Sequence, residues 1–157
     1  MNIGVISDTH SNLIPPKVLE VFKKVDYIIH AGDFCDVSVV KTLQKIKDVK
    51  AVFGNMDPAP VRKLFSAKQL IACGKFTIGL YHGEGPRVKI IERVTQEFKK
   101  DKVDVVVFGH SHEAFNEKIG EVLYFNPGSP NDIVAPSCSY GILSVTDEGI
   151  VGEIIKL

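Results

Sequence analysis

Short apolar runs recur along this 157-residue chain, and many of them stop at a Gly, Asp, Asn or His. Residues 2–7 read as a buried strand that runs into Asp8-Thr9-His10. Pro15-Pro16 suits the first turn of a helix, where proline forfeits no hydrogen bond. Val18, Val21, Phe22 and Val25 then follow at helical spacing. Residues 26–30 read as a second strand, leading to Gly32-Asp33. Asp36 is placed to cap a helix carrying Val39, Val40, Leu43 and Ile46. Residues 50–53 form a third strand that ends at Gly54-Asn55-Met56-Asp57. This β-α-β-α-β start implies a parallel sheet with right-handed crossovers.

The pattern changes after residue 68. Residues 69–73 and 76–81 flank Gly74-Lys75 as a hairpin, and its second strand runs into His82-Gly83. Residues 86–100 read as a helix with Val88, Ile91, Val94 and Phe98 on one face. Residues 103–108 form a doubly buried strand ahead of Gly109-His110-Ser111-His112. Two further hairpins pair 114–119 with 121–125 and 140–146 with 150–157. The second half therefore reads as mostly antiparallel. One sheet of so many strands would curl or split, so two packed sheets with helices outside are expected, in a single domain spanning 1–157.

Composition narrows the function classes. The 45% hydrophobic and 24% charged fractions are those of an ordinary globule. Nineteen basic and nineteen acidic residues give a formal net charge of zero. That excludes affinity resting on a broad basic face, so no stable nucleic-acid complex is expected. Cys35, Cys73 and Cys138 form no C-x-x-C pair and read as small buried hydrophobes of a reducing compartment. No run approaches the roughly 20 apolar residues of a membrane span, and the first residues lack a signal-peptide pattern. A cytoplasmic protein without membrane contact is expected.

The candidate chemistry lies at the ends of five apolar runs, in Asp8, His10, Asp33, Asn55, His82, His110 and His112. Carboxylate, imidazole and amide oxygen suit divalent Mn, Fe, Zn or Ni, whereas a thiolate-free set argues against structural zinc. Seven donors are too many for one ion that must also hold water and substrate. They suit two ions about 3.5–4 Å apart, which can clamp an in-line displacement at phosphorus. Asp8 and Asp33 with a bound hydroxide would leave about one net positive charge, attractive to an anionic phosphate ester. Gly32, Gly54, Gly83 and Gly109 adjoin the donors and let the chain turn as each strand ends. Asp-x-His and His-x-His put two donors on one side of an extended stretch.

Those five segments, with Asn126-Pro127-Gly128-Ser129 after them, resemble the motifs of the calcineurin-like metallophosphoesterases. The resemblance is strongest to the compact single-domain phosphodiesterases of bacteria and archaea. It implies a four-layer αββα sandwich of two mixed sheets. It also implies that Asp8, His10 and His112 bind one ion, that Asn55, His82 and His110 bind the other, and that Asp33 bridges them. Mn2+ is the metal it suggests. Asp33, Asn55 and His110 are then the catalytic candidates, with a hydroxide between the ions as attacking group.

One position departs from the wider superfamily, which has histidine where this chain has Met56. That histidine is assigned to the leaving group, and methionine can neither donate a proton nor stabilise charge. Asp57, which would orient it, loses its usual partner. Phosphodiesters are therefore expected as substrates, with weak activity on monoesters. Nuclease or cyclic-nucleotide hydrolysis is an alternative. So is a non-catalytic protein scaffold, as in the small retromer subunit that resembles this branch.

Other residues receive simpler readings. His30 is expected to be packed or to support the ligands without binding metal. Met56 is expected to fill space near the site, and Ser129 to belong to a tight turn supporting the metal loops. Arg87 is a candidate for touching a substrate phosphate, and Arg62, Lys63 and Lys68 read as a solvated basic cluster. The C-terminal edge strand could pair in a homodimer.

Overall fold

The computed structural model describes residues 1–10, 13–132 and 137–157. Among the described residues, ten strands form two five-stranded sheets. The first sheet is built from β1 (Asn2–Ile6), β2 (Tyr27–His30), β3 (Val49–Ala51), β9 (Ser139–Val145) and β10 (Ile150–Lys156), in the order β10-β9-β1-β2-β3. β1 pairs in parallel with β2, and β2 with β3; β9 returns antiparallel to β1. The second sheet contains β4 (Lys68–Cys73), β5 (Phe76–Tyr81), β6 (Val105–Val107), β7 (Ala114–Ile119) and β8 (Val122–Pro127), in the order β4-β5-β6-β8-β7.

Three buried clusters define four layers. Ile3, Val5 and Ile29 of the first sheet meet Ile78, Leu80, Val107 and Phe125 of the second, forming the seam between sheets. On the outer face of the first sheet, α1 (Pro16–Phe22), α2 (Val37–Gln44) and the short α3 (Ala59–Arg62) bury Val18, Phe22, Val40, Leu43 and Val61. On the outer face of the second, α4 (Ile90–Phe98) buries Ile90, Val94 and Phe98 against Val106, Phe108 and Tyr124. The expected αββα sandwich is the observed fold. Asp36 caps α2, its carboxylate accepting from the Ser38 N–H at 2.6 Å.

The three expected hairpins, β4–β5, β7–β8 and β9–β10, are antiparallel. The second sheet is mixed, as expected: β5, β6 and β8 run parallel, with β4 and β7 antiparallel at its edges. The α4 crossover returns the chain parallel to β5, and the β7–β8 hairpin docks through its second strand. One expectation needs correction: the helix expected over 86–100 begins differently. Arg87–Lys89 form a 3₁₀ turn, and the α-helix starts at Ile90. That tighter turn shifts the phase, so Ile90 replaces Val88 on the buried face and Val88 is 94% exposed.

No helix among the described residues is long and apolar enough to cross a membrane.

Candidate metal centre

The parallel strands of both sheets end at one rim, where ligands in open α/β sheets are received. Asp8 and His10 follow β1, Asp33 follows β2 and Asn55 follows β3; His82 follows β5, and His110 and His112 follow β6. The chain turns there at a cost. Among the described non-glycine residues, positive φ occurs at Asp8, His10, Asp33, Cys35, His110 and His112. Five of these six are candidate ligands. Such conformations cost of order 1–3 kcal/mol each and persist where the surroundings impose them. Gly54 and Gly109 serve another purpose. Neither has positive φ, but a Cβ at Gly54 would land on Asp33 Oδ1, and one at Gly109 on Ser7 Oγ.

Two groups of donors converge, Asp8 with His10 and His112, and Asp8 with Asp33 and His82, so Asp8 is common to both. His10 Nε2 and His112 Nε2 face each other at 3.0 Å, and His112 Nε2 lies 3.3 Å from Asp8 Oδ1. His82 Nε2 is 3.3 Å from Asp33 Oδ2 and 3.1 Å from Asn55 Oδ1. His110 Nδ1 is 3.0 Å from the same Asn55 oxygen.

The opposite ring nitrogens decide what these contacts mean. His82 Nδ1 meets the Ala31 carbonyl at 2.7 Å, and His110 Nε2 meets the Gly85 carbonyl at 2.7 Å. His112 Nδ1 meets the Asp132 carboxylate. Each partner only accepts, so each of those nitrogens carries the proton. In neutral imidazoles the lone pairs then sit on His82 Nε2, His110 Nδ1 and His112 Nε2, pointing at other acceptors. Crowded lone pairs need cations between them, and oxygen with imidazole is the donor set of divalent transition metals. The residues present fit a metal centre.

Charge shifts follow the same demand. Burial works against the Asp8 carboxylate, yet its hydrogen bond to His112 and the nearby imidazoles hold its pKa below the ordinary value. Asp33 is lowered too, with His82 outweighing burial. His112 is raised, first by its hydrogen bond to Asp8. His82 is raised because Asp33 and Asp8 outweigh burial.

The supporting shell is backbone-directed. Asp57 is buried, and its carboxylate accepts from the N–H groups of Asp33, Cys35 and Gly54 at 3.0, 2.7 and 2.8 Å. It ties the loop that carries Asp33 to the loop that carries Asn55 without the absent histidine. His30 is buried, stacks on Phe34 at 3.5 Å, accepts from the Gly32 N–H and donates from Nε2 to Thr9 Oγ1. Ser129 Oγ donates to the Asp8 carbonyl at 2.8 Å, and Asn126 Nδ2 donates to the Gly109 carbonyl at 2.9 Å. Met56 does not fill space: it is 60% exposed, and its backbone N–H donates to Asp33 Oδ1 at 2.8 Å. Arg87 is exposed, and its charge acts on His112.

Three contributors escape the sequence pattern. Arg62, read as a solvated residue, donates to the carbonyls of Asp57, Gly54 and Asn55 at 2.7, 3.0 and 3.0 Å. Cys35 Sγ touches His10 Nδ1 at 3.4 Å, and Asp132 holds His112. Neither Asp132 nor Arg62 lies in a recurring motif; their signal is purely spatial.

A family model for the calcineurin-like phosphoesterase superfamily domain matches residues 1–148. The chain belongs to this superfamily. A probable metallophosphoesterase of Methanocaldococcus jannaschii is 36% identical over 157 residues, covering 94% of this chain and 78% of the relative. A phosphodiesterase of the same organism is 29% identical over 168 residues, covering 99% of each. Among solved structures, an archaeal phosphodiesterase matches with a TM-score of 0.83 and 27% identity over 100% of both chains. A zinc-bound Vps29 of Entamoeba histolytica shares the fold, with a TM-score of 0.79 and 23% identity over 99% of each chain.

Proposed function

We propose that this protein is a phosphodiesterase that hydrolyses small phosphodiesters with two divalent metal ions, Mn2+ being the first candidate. The observation that carries the reading is the convergence of His82 Nε2 on Asp33 and Asn55 oxygens and of His112 Nε2 on Asp8, each opposite ring nitrogen being fixed as a donor. Asp8, His10 and His112 would hold one ion and Asn55, His82 and His110 the other. Asp33 would bridge them, with the Asp8 carboxylate lying within reach of both donor groups. When bound, the ions would supply Lewis acidity and lower the pKa of water at the centre.

The chain's own residues set where substrate approaches. Asp8, Asp33 and His82 are buried, whereas Asn55 is exposed and His110 half-buried. The Asn55–His110 edge is therefore the open face, and Arg87 would meet the phosphate anion there. Met56 supplies no proton to a leaving group. Diesters with good leaving groups are favoured, and dianionic monoesters lack the additional cation that a histidine at position 56 would supply. The phosphodiesterases among the relatives support this preference. A scaffold role finds less support, since each expected donor is present at the rim. We place the activity in the cytoplasm, in a single domain.

Purified protein should hold about two divalent ions per chain. It should cleave bis(p-nitrophenyl) phosphate faster than p-nitrophenyl phosphate, and Asp33→Asn should lose activity with the fold retained. Metal-replete protein without diesterase activity would overturn the reading.

A further inference from the structure

We propose that Asp132 is a positioning residue for this centre: by holding the His112 ring through Nδ1 it makes the Asp8–His10–His112 site the tighter of the two. The inference rests on the metal-centre reading above.

The four imidazoles are held unequally. His82 and His110 donate to neutral backbone carbonyls of Ala31 and Gly85. His10 leans on the Cys35 thiol, a weak partner. Among the described residues, only His112 has its second nitrogen against an ionisable carboxylate, that of Asp132. A carboxylate partner fixes the tautomer and ring orientation and raises the basicity of the opposite nitrogen more than a carbonyl does. His112 Nε2 is the atom aimed at Asp8 Oδ1 and His10 Nε2.

Asp132 is placed for this by contacts independent of His112. It follows the Asn126–Ser129 turn, whose Ser129 hydroxyl is tied to the Asp8 carbonyl. The neighbouring Asn131 Nδ2 donates to the Leu13 carbonyl at 3.4 Å, and the Cys138 thiol donates to the Asp132 carbonyl at 3.5 Å. The His112 and Asp132 side chains are 12% and 17% exposed, so water screens their attraction only in part. Removing the carboxylate would leave His112 free to rotate and change tautomer.

The test is calorimetric titration of Mn2+ into chelator-stripped wild type, Asp132→Asn and Asp132→Glu. Wild type should show two unequal steps. Asp132→Asn should weaken the tighter step by about 10- to 100-fold and leave the other in place. Asp132→Glu should recover most of the loss. An unchanged tighter step in Asp132→Asn would overturn the proposal. So would equal weakening of both steps without rescue by glutamate, the mark of a general structural defect. Wild type that binds no Mn2+ would instead overturn the metal-centre reading, and this inference with it.

Discussion

His10 and His112 sit 102 residues apart, one after β1 of the first sheet and one after β6 of the second, yet their Nε2 atoms face each other at 3.0 Å. Two imidazole nitrogens at that distance share one proton or one cation. The contact joins the two sheets at the rim, so whatever lies between the rings is coupled to the packing of the sandwich.

Metal should therefore stabilise the fold. A ligand that binds only the folded state at about 100 times its Kd contributes roughly 2.7 kcal/mol. For a domain of this size that is a rise in Tm of about 5–10 °C. Differential scanning calorimetry of chelator-treated protein, with and without added Mn2+, should show it. An unchanged Tm would argue that no ion bridges the sheets.

Gly54→Ala should damage the centre more than its size suggests. The new Cβ would land on Asp33 Oδ1 and lie 2.6 Å from the Asp33 backbone nitrogen. Asp33 must move, and a displacement of about 1 Å costs roughly 10²-fold in rate. Gly149→Ala, whose Cβ meets nothing within 4 Å, is the matched control. Steady-state diesterase kinetics on both variants compares them. Near-normal kcat/KM in Gly54→Ala would sink the argument.

Arg62 should behave as a structural residue, not as one of a solvated cluster. Its guanidinium satisfies the carbonyls of Gly54, Asn55 and Asp57. At about 1 kcal/mol per bond, reduced because the residue is exposed, Arg62→Ala should cost about 2 kcal/mol. Thermal melts should show a fall in Tm of about 4–8 °C. Lys63→Ala should be close to neutral, and equal effects from the two would refute the distinction.

His30 carries a pH signature. Burial pushes its pKa from 6.5 down to about 3. Below about pH 6.5 the unfolded chain takes up a proton that the folded chain refuses. The stability contribution of neutral His30 is thus complete above pH 6.5 and is lost as pH falls toward 3. The slope approaches 1.4 kcal/mol per pH unit. Denaturant unfolding of chelator-stripped wild type and His30→Gln at pH 7, 6 and 5 isolates it, since the other titrating groups are common to both. Parallel pH curves would exclude the assignment.

Much of this architecture is legible in the sequence, for reasons specific to particular segments. The runs at Ile3–Ile6, Ile28–Ile29 and Val105–Val107 are apolar at every position because they are covered on both faces. Polar, metal-preferring residues at their ends therefore stand out. Val88 fits the helical period yet lies outside the buried face, because periodicity assumes one continuous helix and Pro86 opens a 3₁₀ turn. Arg62 and Lys63 look alike in sequence, and their fates diverge only because α3 turns one toward the carbonyls of the Asn55 loop.

The seven donor residues and their positions at strand ends were determined by sequence alone, because strand length and chain reversal are local properties of apolar runs and the residues that interrupt them. Which donors meet was decided by the tertiary structure. Packing β1–β3 against β5, β6 and β8 with their ends at one rim brings Asp8 to His112 and Asn55 to His82. The same packing recruits Asp132 and Arg62, which carry no local pattern, and sets Cys35, two residues past Asp33, against His10. Their contribution arises from distances between loops far apart in the chain, and the burial of two sheet faces is what closes those distances.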